Sequence, residues 1–111
     1  MDKELKAAWI ADLRSGNFKQ GRGRLAHAGH YCCLGVLAKR CGCHLGLEEA
    51  RLGDRWVGDA GNLSENFWHE LNVGCGQDTF TYFNDGEGAR HRHSKTFAEI
   101  ADWIETHIIA E

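Results

Sequence analysis

Two adjacent thiols, Cys32 and Cys33, are the residues of this chain best placed to do chemistry. They open a short apolar segment that reads as a helix. A cysteine at a helix N-terminus has its thiolate favoured by the dipole and the exposed amides. Cysteine hydrolases combine such a thiol with an imidazole base and a carboxamide or carboxylate that orients the base. Here His91, His93 or His69 offers the base, and Asn84 or Asp85 the orienting group. No local catalytic signature surrounds the pair. The competing reading makes both sulfurs small hydrophobes that fill the core beside Leu34 and Leu37, since free cysteine is among the most buried residue types. That tendency favours the second reading.

A second group offers zinc chemistry. Cys41, Cys43 and His44 lie together, Cys75 follows, and His27 and His30 precede them. Thiolate and imidazole are the ligands zinc prefers, but structural sites repeat a C-x₂-C spacing that the Cys41-Gly42-Cys43-His44 run lacks. His91-Arg92-His93 is too short a run to define a site. Scattered thiols and solvated imidazoles are the expectation, and no metal or other cofactor is assigned.

The third group is basic. Arg14, Lys19, Arg22 and Arg24 form one stretch, with Gly21 and Gly23 leaving amides accessible; Arg90, His91, Arg92, His93 and Lys95 form another, just before a helix. Both stretches can contact phosphates. Neither a Walker motif nor a third glycine after Gly21-x-Gly23 is present, so no nucleotide fingerprint exists. The net charge of −3 argues against a long nucleic-acid footprint, which needs a concentrated basic face. Nucleic acid is therefore admitted as a partner but not favoured. A protein partner or self-association is preferred, with Trp103, Arg22, Arg24, Arg90 and Arg92 as binding candidates, because Trp and Arg are enriched where interfaces concentrate their energy.

The elements that must position these groups are legible in part. Leu5, Ala8, Trp9 and Leu13 recur at helical spacing over residues 2–15, with Asp2 as cap and Gly16 as terminator. Residues 17–30 read as a loop with a short extended piece around Arg24–Ala26. Residues 31–41 predict a buried helix, in which Gly35 permits a close approach of another segment. Residues 43–63 read as irregular, with a short strand at Trp56-Val57. Ser64 caps a short helix carrying Phe67, Trp68 and Leu71 inward. Thr79–Phe83, β-branched and aromatic, predicts a strand, and Asn84-Asp85-Gly86 a turn. Thr96 and Glu99 form a capping box ahead of a stripe of Phe97, Ile100, Ala101, Ile104 and Ile108. Trp103 lies off that stripe.

Composition sets the frame. At 111 residues, 42% hydrophobic and 26% charged, the chain has the size and balance of one folded domain. No run approaches the roughly 18 apolar residues of a membrane span, so no membrane role is expected. Charges alternate through Met1–Lys6, where an export signal needs an apolar run. Five cysteines, an odd number, suit free thiols in a reducing compartment. The expected class is α+β: a compact single domain of two terminal helices and a buried central helix around a small antiparallel sheet, located in the cytoplasm.

Several segments together resemble a diffuse group of uncharacterised small proteins encoded by bacteriophages and prophages. They are Trp9, Leu13–Gly16, Lys19-Gln20-Gly21, the Tyr31-Cys32-Cys33-Leu34-Gly35-Val36-Leu37 block, Phe83-Asn84-Asp85 and Phe97–Glu105. The resemblance implies a mobile-element origin and expression inside a bacterial host, but no activity. Ala38 stands where that group usually has Cys, and Gly86–Lys95 is inserted before the last helix. Three functional readings follow. The leading one is a non-enzymatic accessory protein that binds a host or phage macromolecule, in counter-defence if the resemblance guides it. The alternatives are a Cys-His thiol hydrolase or transferase, and a zinc-supported nucleic-acid binder.

Overall fold

Helix α1 (Lys3–Arg14) forms where the spacing places it. The Asp2 carboxylate accepts the Leu5 N–H at 2.8 Å, and Gly16 at φ +79° ends the element. Trp9, Ile10 and Leu13 are buried, and the helix packs on α5 (Phe97–His107) and α2 (Cys33–Arg40). The structure, a computed structural model, describes residues 1–111. Helix α5 carries the expected capping box, with Glu99 N–H donating to Thr96 Oγ1 at 3.2 Å and Thr96 N–H to Glu99 Oε1 at 2.9 Å. Its whole apolar stripe is buried.

Between the terminal helices lie two three-stranded sheets. In the first, β3 (His30–Tyr31) is central, parallel to β1 (Lys19–Gln20) and antiparallel to β2 (Ala26–His27). The second is an antiparallel meander of β4 (His44–Leu45), β5 (Glu49–Leu52) and β6 (Arg55–Asp59). Residues 43–59 are therefore more regular than their glycines suggest. Gly53 at φ +61° supplies the first central position of a two-residue hairpin turn between Leu52 and Arg55. Helix α3 (Glu65–Leu71) starts at Ser64, whose hydroxyl accepts the Phe67 N–H.

Two expectations change. The expected single antiparallel sheet is two sheets, the first of them mixed and built from residues 19–31 that read as a loop. One helix stands where a strand is expected. Thr79–Phe83 is not a strand but the middle of helix α4 (Gln77–Asp85). Helical spacing puts Phe80, Phe83 and Asn84 on the side facing α2 and α5, and the Phe80 ring sits 5.0 Å from Trp9, 5.9 Å from Trp68 and 5.7 Å from Trp103. Tertiary packing of one aromatic outweighs local β propensity here. The expected turn at Asn84-Asp85-Gly86 is the end of this helix, with Gly86 at φ +71° stopping it.

The chain is thus an α+β protein folded as one compact domain, with α2 at its centre. No helix is long and apolar enough to cross a membrane.

Candidate functional site

Cys32 is the N-cap of α2, the position the thiol-enzyme reading requires. Burial decides what that position does. Cys32 is 7% exposed and Cys33 fully buried. The Cys32 sulfur accepts the Gly35 N–H at 3.4 Å, and the Cys33 thiol donates to the Phe80 carbonyl at 3.5 Å. Loss of solvation pushes the Cys32 thiol up to about 11 and Cys33 well above the usual thiol range, so burial outweighs the helix amides. The crevice over the pair, bounded by Arg24, Asn84 and Asp85, holds about 10 Å³ of free space. That is room for about one water molecule and no substrate.

The groups expected to orient a catalytic imidazole have other partners. Asn84 is fully buried and uses its whole hydrogen-bonding capacity. Its Oδ1 accepts the Cys33 N–H at 3.2 Å and Gln20 Nε2 at 3.1 Å. Its Nδ2 donates to the Gly21 carbonyl at 2.7 Å and to Asp85 Oδ1 at 2.9 Å. Gln20 continues outward, donating to the Lys95 carbonyl at 2.9 Å and accepting the Phe97 N–H at 3.2 Å. The Asp85 carboxylate accepts the Gly23 N–H at 3.2 and 3.3 Å. His91 turns Nδ1 to the Asp85 carbonyl at 2.8 Å, which places the proton on that nitrogen. Neither His91, His93 nor His69 hydrogen-bonds either sulfur; all three are exposed. Asn84 and Gln20 thus join α2, α4, β1 and the start of α5 into a structural node. The Lys19-Gln20-Gly21 segment carries part of the resemblance, but nothing in the sequence gives Gln20 its joining role, because its partners lie 64 to 77 positions away.

The zinc candidates do not converge. Cys43 is buried behind the end of α2, Cys41 is half-buried, His44 is exposed, and Cys75 lies half-buried beside Trp68. No three His, Cys, Asp or Glu side chains gather as a metal site requires. The largest concavity, about 600 Å³ between β6 and α4, is lined by Trp56, Asp59, Glu65, Asp78 and Thr81, with neither thiol nor imidazole in its walls.

Trp103 widens the buried face of α5. It is half-buried, with its ring 4.9 Å from Phe83 and stacked on His107 at 4.5 Å and 8°. The segments that carry the binding arginines, by contrast, are brought together. Arg22 Nη2 donates to Ser94 Oγ at 3.3 Å, so the stretch at 19–24 lies against the stretch at 90–95. Arg24, Arg90 and Arg92 are exposed on the same two segments.

A family described as a domain of unknown function, DUF8296, matches residues 1–59. The chain belongs to this family. No curated protein and no solved structure matches it. The DUF8296 region runs from α1 to the end of β6. It holds Gln20, Gly21, Cys32 and Cys33, one half of the node; Phe80, Asn84 and Asp85, the other half, come from the remainder of the chain.

Proposed function

We propose that the chain acts by binding a macromolecule, as an accessory protein of a bacteriophage or prophage working in the host cytoplasm, and not by thiol catalysis. The observation that supports this most is the closed state of the cysteine pair: both sulfurs are engaged in packing and backbone hydrogen bonds, and Asn84 has no bond left to orient a base. The phage origin, and with it a counter-defence role, is supported by the resemblance of the Tyr31–Leu37 block and its companion segments alone. The exposed arginines supply the polar anchors that binding requires.

Affinity capture from a bacterial lysate tests the reading when wild type is compared with Arg92→Ala and Cys32→Ala. A partner retained by wild type and Cys32→Ala but lost by Arg92→Ala is expected. A covalent adduct on Cys32 or Cys33, or turnover abolished by Cys32→Ala in a folded variant, would replace binding with catalysis.

A further inference from the structure

Four arginines are tied into ion pairs: Arg14 with Asp102 and Glu105, Arg40 with Asp12, Arg51 with Glu49, and Arg55 with Glu70. The other four, Arg22, Arg24, Arg90 and Arg92, make no ion pair. All four stand on the two segments that the fold lays side by side.

The join between these segments is specific. Besides the Arg22–Ser94 contact, Gln20 reaches the Lys95 carbonyl and the Gly23 N–H reaches the Asp85 carboxylate. Glu87 and Arg92 exchange backbone hydrogen bonds of 2.7 and 2.9 Å, which closes a tight hairpin with Arg90 near its tip. His91 and His93 hold φ of +52° and +64°, a conformation that side-chain-bearing residues adopt at a cost and only where the surroundings impose it. The loop is thus held in a shape that displays its arginines. His27 and His30 are exposed on the adjoining strands, with His30 paired to Lys19 across the sheet.

The charge is concentrated as well. Lys19, Arg22, Arg24, Arg90, Arg92 and Lys95 are six of the thirteen Lys and Arg, whereas residues 19–24 and 85–95 hold only Asp85 and Glu87 of the sixteen Asp and Glu. Both carboxylates already have partners, Asp85 in the Gly23 N–H and Asn84, Glu87 in the Tyr82 hydroxyl at 3.1 Å. An acidic protein has gathered the arginines without a carboxylate partner on two adjoining segments. Arg22 and Arg24 each meet a neutral acceptor, Ser94 Oγ and the Leu47 carbonyl, both at 3.3 Å, and so keep their full charge. The net charge of −3 argues against a concentrated basic face; the fold nevertheless lays the two basic segments together.

We propose that this face binds the phosphodiester backbone of a nucleic acid. The inference rests on the binding reading above and names its partner. Guanidinium groups match phosphate oxygens in bidentate geometry, and they outnumber lysines here four to two. Tyr82, 41% exposed beside the 87–92 hairpin, adds a ring on which a base can stack. With contacts to phosphates alone, recognition is of backbone and shape more than of sequence.

The test is fluorescence anisotropy with a labelled 20-nucleotide single strand and with its duplex, across a salt series. Four phosphate contacts give a log–log salt slope of about −3 to −4, a loss of roughly 10²-fold in affinity between 50 and 200 mM salt. Arg22→Ala and Arg92→Ala each reduce the slope by about one and weaken both ligands alike; Lys39→Ala, an exposed cation elsewhere, leaves binding unchanged. Unchanged thermal melting confirms that the variants fold. Absence of oligonucleotide binding at 50 mM salt overturns the inference, as does binding unaffected by the double arginine variant. Tighter binding to vesicles containing anionic phospholipid than to either oligonucleotide overturns it too, in favour of a membrane surface. If oligonucleotides fail while an Arg92-dependent protein is still captured, this inference falls and the binding reading stands.

Discussion

Asn84 shows how one side chain settles between catalysis and structure. A carboxamide two helices away from a cysteine pair has the chemistry of a catalytic orienter, yet its four hydrogen bonds run to Cys33, Gln20, Gly21 and Asp85. Truncating it leaves the buried Cys33 N–H and the part-buried Gly21 carbonyl without this partner, and Gln20 with one bond fewer. Such groups cost about 1–3 kcal/mol each when unsatisfied, though relaxation and water recover part. Asn84→Ala should therefore lose roughly 2–4 kcal/mol of stability in urea unfolding; a loss within 0.5 kcal/mol, the range of an ordinary surface change, would contradict the node. The thiol of Cys32, held at about 11 by burial, makes a second prediction. The folded chain keeps a proton that the unfolded chain releases above about 8.5, so its contribution is complete below that pH and is lost as pH rises toward 11. The decline is about 1.4 kcal/mol per pH unit for one thiol. Urea midpoints between pH 8 and 10.5 should fall less steeply for Cys32→Ala than for wild type; equal slopes would show a solvated sulfur.

At the scale of elements, local signals were readable and distant ones were not. Asp2, Ser64 and Thr96 with Glu99 each announce a helix start, because a cap is a matter of three or four neighbouring residues. Helix α4 has no such announcement. Its N-cap is Gly76, without a side-chain cap, and its Thr, Phe and Tyr residues favour strand; only Trp9, Trp68 and Trp103 around Phe80 make it a helix. Gly35 was readable as a close approach, though not what approaches. The neighbour is the Leu25 backbone just before β2: a Cβ on Gly35 would lie inside the Leu25 carbonyl oxygen, which accepts the Cys32 N–H at 3.3 Å. A carbonyl fixed in that way cannot retreat, so Gly35→Ala should cost roughly 3 kcal/mol or more, the upper range for overpacking. Thermal melting of that variant within a few degrees of wild type would show that α2 and the Leu25 segment can part freely.

At the scale of the whole molecule, the node, the cysteine pair and the basic face are one construction. Gln20 and Gly21 begin the loop that carries Arg22 and Arg24; Asn84 and Asp85 end the helix that leads into Arg90 and Arg92. The same hydrogen bonds that cover Cys33 set the two basic segments side by side. The chain suggests Asn84 and Asp85 as companions of the cysteine pair but not the joining of the two basic segments, where the partners stand 51 to 64 residues apart. The interior position of the two sulfurs is the claim on which the rest depends, and reaction with a small thiol reagent under native conditions, resolved by peptide mass spectrometry, tests it most directly. Cys41 and Cys75, both partly exposed, should label first, whereas Cys32 and Cys33 should label only as fast as the domain unfolds, accelerating with urea in step with loss of structure. Rapid labelling of Cys32 or Cys33 in the folded protein, independent of urea, would contradict the account and return the pair to the status of a nucleophile.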